Sequence, residues 1–331
     1  MNLPKIPTLS LRRQILLLCW GFFFVGIIGY WLFQRLLILH SYANMGVSDI
    51  TIVCLLVLLA LLPYSLAHRC KLSLEWYALA FCPSIFILAI IANEHIGIGT
   101  IIMTAITFIV WLIMVIKQPR LHCHPLNINL CTLLLMMTVA LCCSNTDELT
   151  HNSHKVQHLI AKGQYEDALL VGKRSHATDA KLFNLRATAL LHTHQLGNRL
   201  FSYPVPIPGN GAAPRISIPS GMADSTDTRD ILLCNLLLKK ELPTFSKMLP
   251  KLYDNINSTT LPLHYKEALV IYMSRSTNPG LSYSNTLVEA NYADFIAEKK
   301  KYEAAAESKS KCHDLYGNSY FWYYFFHQIN K

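Results

Sequence analysis

Leu133-Leu134-Leu135-Met136-Met137-Thr138-Val139-Ala140-Leu141-Cys142-Cys143 runs straight into Ser144-Asn145-Thr146-Asp147-Glu148. An apolar run with one hydroxyl gives way, across one peptide bond, to polar residues. Upstream of this break lie four more apolar runs. The five, at about 15–33, 50–67, 76–92, 98–116 and 126–143, each approach the ~20 residues that a helix needs to cross a hydrocarbon core. The pattern predicts an all-α chain: an N-terminal bundle of five transmembrane helices over residues 1–143, followed by a soluble helical domain over 144–331.

Charge follows the same division. Before residue 144 the only acids are Asp49, Glu75 and Glu94, against eight bases; the first part carries +5 and the second +4 of the net +9. The second part has no Lys/Arg stripe of the kind nucleic acid requires, which argues against a nucleic-acid partner. Bases near membrane ends favour the cytoplasm. Lys5, Arg12 and Arg13, then Arg69 and Lys71, then Lys117 and Arg120 lie on one side, and Arg35 alone on the other. Five crossings then place the N-terminus in the cytoplasm and the second domain outside it. The first run is too long for the apolar core of a signal peptide and precedes no small-residue cleavage site.

Beyond the break the periodicity is helical. Gly163-Gln164-Tyr165-Glu166-Asp167-Ala168-Leu169 has the G-x-Y-x-x-A-L pattern of a tetratricopeptide (TPR) inter-helix turn, and Gly197 follows 34 residues later, with Arg199 in place of the tyrosine. Residues 203–221 hold Pro204, Pro206, Pro208, Gly209, Gly211, Pro214, Pro219 and Gly221 and cannot continue a helix. Helices are expected again over 227–240, 243–253, 262–275, 285–302 and 319–328, eight or nine in all, with no strand.

Three stretches in this part resemble an uncharacterised family of bacterial proteins of Bacteroidota type. They are Leu261-Pro262-Leu263-His264-Tyr265-Lys266-Glu267-Ala268-Leu269, Asn291-Tyr292-Ala293-Asp294-Phe295, and Tyr316-Gly317-Asn318-Ser319-Tyr320-Phe321-Trp322-Tyr323-Tyr324. Trp76-Tyr77-Ala78-Leu79 with Pro83-Ser84-Ile85-Phe86-Ile87-Leu88-Ala89 resembles the front of the same family. The resemblance is most specific over the last 70 residues. It implies a multi-pass inner-membrane protein with a TPR-like rear domain, and no catalytic residue or activity.

Candidate sites are few. His151, His154 and His158 fall at i, i+3 and i+7, a spacing that lets imidazoles share a helix face and hold Zn²⁺; a solvated, polar juxtamembrane face explains them more simply. His122-Cys123-His124 packs ligand types onto one loop. Cys234 and Cys312 are the only cysteines of the second part, either a disulfide or two thiols. No G-x-S-x-G, H-E-x-x-H, P-loop or G-x-G-x-x-G pattern occurs, so no cofactor and no catalytic residue is assigned. Asp224-Ser225-Thr226 resembles a short O-glycosylation acceptor.

Stacked helix pairs make concave binding surfaces. The expectation is therefore a membrane-anchored protein-interaction scaffold, with partner contacts at Tyr165, Asn184, Tyr320, Trp322 and Tyr323. The rival reading is an envelope enzyme or transport accessory acting on a lipid-linked substrate.

Overall fold

The computed structural model describes residues 10–41, 49–91, 98–120, 122–173, 175–207, 213–217, 225–256, 260–277, 279–302 and 305–327. Among the described residues every regular element is a helix. The chain divides into two compact units, Met1–Asp147 and Glu148–Lys331, close to the break read from composition.

The first unit contains α1 (Leu11–Ser41), α2 (Asp49–Arg69), a 3-10 helix (Leu74–Phe81) leading directly into α3 (Cys82–Ile91), α4 (Ile98–Lys117) and α5 (Pro125–Cys142). Three stretches are long and apolar enough to cross a membrane: Leu11–Ile38, Leu74–Ile91 and Pro125–Cys142. Five were expected. The other two, α2 and α4, are apolar over the shorter described stretches Val53–Arg69 and Ile101–Lys117.

The run at 76–92 was expected to be one helix. Its first half is instead a 3-10 helix with a non-helical residue, Trp76 (φ −115°, ψ 19°), and Pro83 sits in the first turn of the α-helix that succeeds it, where a missing N–H costs nothing. Irregular backbone at membrane depth is tolerated only where protein supplies the hydrogen bonds. Asn129 of α5, fully buried, does so: its Oδ1 accepts from Ala78 N at 2.7 Å and its Nδ2 donates to Leu74 O at 2.9 Å and to Pro125 O at 2.8 Å. Trp111 Nε1 donates to Leu79 O at 2.8 Å, and Trp76 Nε1 to Pro119 O at 2.9 Å.

Pro63 lies inside α2 and has no N–H for the carbonyl four residues earlier. That carbonyl belongs to Leu59, and the buried Ser84 hydroxyl of α3 donates to it at 2.7 Å. The bond that Pro63 removes from α2 is thus answered from another helix.

The second unit runs α6 (Glu148–Ala161), α7 (Tyr165–Leu170), α8 (Ala180–His192), α9 (Leu196–Arg199, continuing as a 3-10 turn to Ser202), α10 (Ser225–Leu238), α11 (Leu242–Leu252), α12 (Leu263–Arg275), α13 (Thr286–Lys300), α14 (Ala305–Tyr316) and α15 (Tyr320–Phe326). Neighbours in sequence pack as neighbours in space, while α12 touches α9, α11, α13 and α15. One core joins them all.

Three tight turns repeat the same geometry. Gly163 (φ +73°), His194 (φ 54°) and Lys240 (φ 59°) are left-handed. At each, the N–H of the following residue reaches five residues back: Gln164 to Leu159, Gln195 to Leu190 and Glu241 to Leu236. This is the Schellman closure of a helix C-terminus. Gly163 acts as its pattern implied. Gly197 does not mark the second turn, which belongs to His194. Gly197 lies within α9 because a Cβ there would come within 2.7 Å of Pro262 Cβ and 2.8 Å of Tyr265 Cζ, so its lack of a side chain lets α9 and α12 approach.

Ser84→Ala leaves the Leu59 carbonyl buried without a donor, and the expected loss is about 1–3 kcal/mol. Chemical denaturation of the protein in detergent measures it; an unchanged midpoint would refute the role given to Ser84.

Candidate functional site

The described part of the proline-rich segment, residues 213–217, lies against α8 and α10. Pro214 and Ile216 are buried while Arg215 and Ser217 are exposed, the two-residue period of an extended chain. Asn235 grips Ile216 on both sides: its Oδ1 accepts from Ile216 N at 2.8 Å and its Nδ2 donates to Ile216 O at 3.3 Å. Asn184 Oδ1 accepts from Ser217 N at 3.0 Å. Two asparagines one helix apart therefore hold a main chain by its amide groups, a mode indifferent to most side chains.

Asn184 is thus occupied by the protein's own backbone. Tyr165 is half-buried and stacks on His192, ring centroids 4.2 Å apart and nearly parallel. Asn235 escaped the sequence reading. Its signal was an amide inside Ile231-Leu232-Leu233-Cys234-Asn235-Leu236-Leu237-Leu238, since a polar residue among leucines on a packed helix must find a partner.

The aromatic end of the chain closes the unit. Tyr320 and Tyr323 of α15 are 0% and 2% exposed, so they lie in the core and not on a docking face. Their hydroxyls donate to the last carbonyls of α10, Tyr320 to Leu237 O at 3.1 Å and Tyr323 to Leu238 O at 2.7 Å. Burial pushes both phenols well above their ordinary pKa. In return, Lys240 Nζ donates to Tyr324 O at 2.7 Å and His327 O at 2.5 Å, at the C-terminal end of α15. At the other end, Tyr320 N donates to the buried Glu267 carboxylate at 2.8 Å, which also meets His264 Nδ1 at 2.9 Å. Trp322 is half-buried, its Nε1 bonded to Lys309 O at 3.2 Å. Of the aromatic candidates on α15, it alone keeps an open side.

Arg186 is 1% exposed and donates to the carbonyls of Val171 and Gly172, with its guanidinium over the Tyr203 ring. Burial lowers its pKa. It acts as the cap of the turn after α7.

The remaining expectations resolve simply. His154 is buried on α6, His151 half-buried and His158 exposed. Among the described residues no three His, Cys, Asp or Glu side chains come together to hold a metal ion, so the three histidines do not converge with further ligands. His124 caps α5, its Nδ1 accepting from Leu126 N at 3.3 Å. Cys234 and Cys312 are both buried free thiols, and burial raises the pKa of each. Asp224 lies outside the described residues, as do the side chains of Ser225 and Thr226.

Residues 222–327 match the model of a family of unknown function, DUF6057. The match spans α10 to α15, which includes Asn235, Lys240, Glu267 and the gripped final helix. It agrees with the resemblance to an uncharacterised family read from the last 70 residues. No curated protein and no solved structure matches the chain.

Glu267→Gln and Lys240→Met each remove one charged grip on α15. Each is expected to lower the stability of the second unit by roughly 1.5–3 kcal/mol, read as a shift in its unfolding transition. Silent substitutions would show that aromatic packing alone seats the helix.

Proposed function

We propose that this protein is an inner-membrane anchored scaffold whose second unit, on the periplasmic side, binds a protein partner through a segment of its main chain. The observation that carries the reading is the paired use of Asn184 and Asn235 to hold residues 213–217 by their amides. A groove able to hold its own backbone in this way suits another chain's backbone equally. The recurring Schellman turns and serial helix packing support a TPR-like hairpin stack, an architecture that presents such grooves.

Five crossings remain the better account of the first unit, beyond the three helices that are long and apolar enough as described. In α4, Ile102, Ile106, Ile109, Val110 and Ile113 are all exposed, and so large an apolar surface calls for lipid or a protein cover. Together with the bias of bases in the loops, five crossings put the N-terminus in the cytoplasm and the second unit outside it.

Two measurements test this. Alkaline phosphatase fused after Asn145 is expected to be active, and a silent fusion would overturn the orientation. A labelled peptide of sequence Gly-Ala-Ala-Pro-Arg-Ile-Ser-Ile-Pro, taken from residues 211–219, is expected to bind the Ile216→Asp protein, whose own segment is displaced. The same peptide should lose at least tenfold in affinity when Asn235→Ala is added. Equal binding by both proteins would refute the asparagine clamp.

A further inference from the structure

A second concavity in the same unit has a different chemistry. A cavity of about 320 Å³ is lined on one side by Lys173, His176, Lys309 and His313, and on the other by Phe201, Tyr203, Trp322, Tyr323 and His327. Among the described residues no Asp or Glu lines it. A neighbouring cavity of about 360 Å³ shares His176, Lys309, His313 and Trp322 with it. Those four residues form a rib between two lobes: His176 and His313 meet at 5.4 Å between ring centroids, and His313 meets Trp322 edge-to-face at 4.8 Å.

Among the described residues neither lysine has an ion pair. At the floor, His327 is 94% buried (6% exposed); its Nε2 faces Val205 O at 3.3 Å, and its Nδ1 has no hydrogen-bond partner among the described residues. Burial, followed by the nearby Lys240 and Lys309, lowers its pKa. A site that gathers two lysines and three imidazoles without an acid wants an anion. Two fixed positive charges match a phosphate dianion better than a singly charged carboxylate. The aromatic wall and the volume beyond it suit a ring-sized body attached to that phosphate.

We propose that this two-lobed cavity binds a phosphate monoester on a ring-sized body, with the phosphoryl group at Lys173, Lys309, His176 and His313 and the body against Trp322. The source is either a soluble sugar phosphate or a lipid whose headgroup ring carries a phosphate monoester, which share this chemistry. The site is independent of the asparagine clamp: it uses none of that clamp's residues.

The test uses the full chain in nanodiscs of neutral phosphatidylcholine, with glucose 6-phosphate as probe and titration calorimetry as readout. Binding is expected, with glucose at least tenfold weaker. Lys173→Gln with Lys309→Gln together should weaken glucose 6-phosphate at least tenfold and leave glucose unaffected. Trp322→Ala should weaken the sugar phosphate while leaving inorganic phosphate within about twofold. Melting of each variant at the wild-type temperature separates a lost site from a lost fold. Nanodiscs containing a phosphoinositide that compete with the probe would assign the lipid source, whereas their failure to compete would assign the soluble one. Equal affinities for glucose and glucose 6-phosphate, or no effect of the double lysine substitution in a folded protein, would overturn the proposal.

Discussion

A seven-residue helix cannot hold itself together in water, and the second unit of this protein nevertheless ends its core on one. Helix formation is costly to nucleate and short helices are marginal alone, so α15 exists because the rest of the unit clamps its two ends. The clamp obeys the sign of the helix dipole. A carboxylate, Glu267, sits at the positive end and an ammonium, Lys240, at the negative one. The exchange is mutual, since Tyr320 and Tyr323 supply donors for carbonyls at the end of α10. Lys240 occupies the left-handed turn between α10 and α11, so one residue both ends a helix and secures another remote in sequence. With α15 in place, Phe201, Phe295 and Phe321 gain their aromatic neighbours, and α12 acquires its fourth partner.

The first unit meets the opposite problem, with apolar surface in plenty and backbone polarity in deficit. Where α-helix fails, at the 3-10 segment and at Pro63, single side chains from neighbouring helices make up the missing hydrogen bonds. Asn129 makes two of them and Ser84 one. These polar residues are structural: they are spent on backbone atoms.

The division into two units, the helical class and most helix positions in the second unit were legible because hydrophobic periodicity and composition carry them directly. Gly163 was legible as a turn because a left-handed residue with no side chain is the cheapest solution there. The same reasoning failed at His194 and Lys240, where the turn closes with a side chain present and no local signal marks it. Helix α14 was missed because its face offers little beyond Cys312 to bury, so no apolar stripe announces it. The 3-10 helix was invisible for a further reason: its existence depends on Asn129 and Trp111, far along the chain. Tyr320 and Tyr323 read as a possible docking face because composition alone does not say which side of a fully aromatic helix is covered. The asparagine pair was half legible, in that Asn184 stood out on α8 while its partner lay hidden among leucines.

The tie between Ile216 and Asn235 spans only nineteen residues of chain. A segment tethered so closely meets its own groove at an effective concentration in the millimolar range. A free peptide competing for the same amides would therefore be ignored at micromolar levels unless its intrinsic affinity were far greater or its own tether, such as a shared membrane surface, concentrated it alongside. In the proposed scaffold the proline-rich strap would thus act as a threshold, favouring partners already confined to the same bilayer.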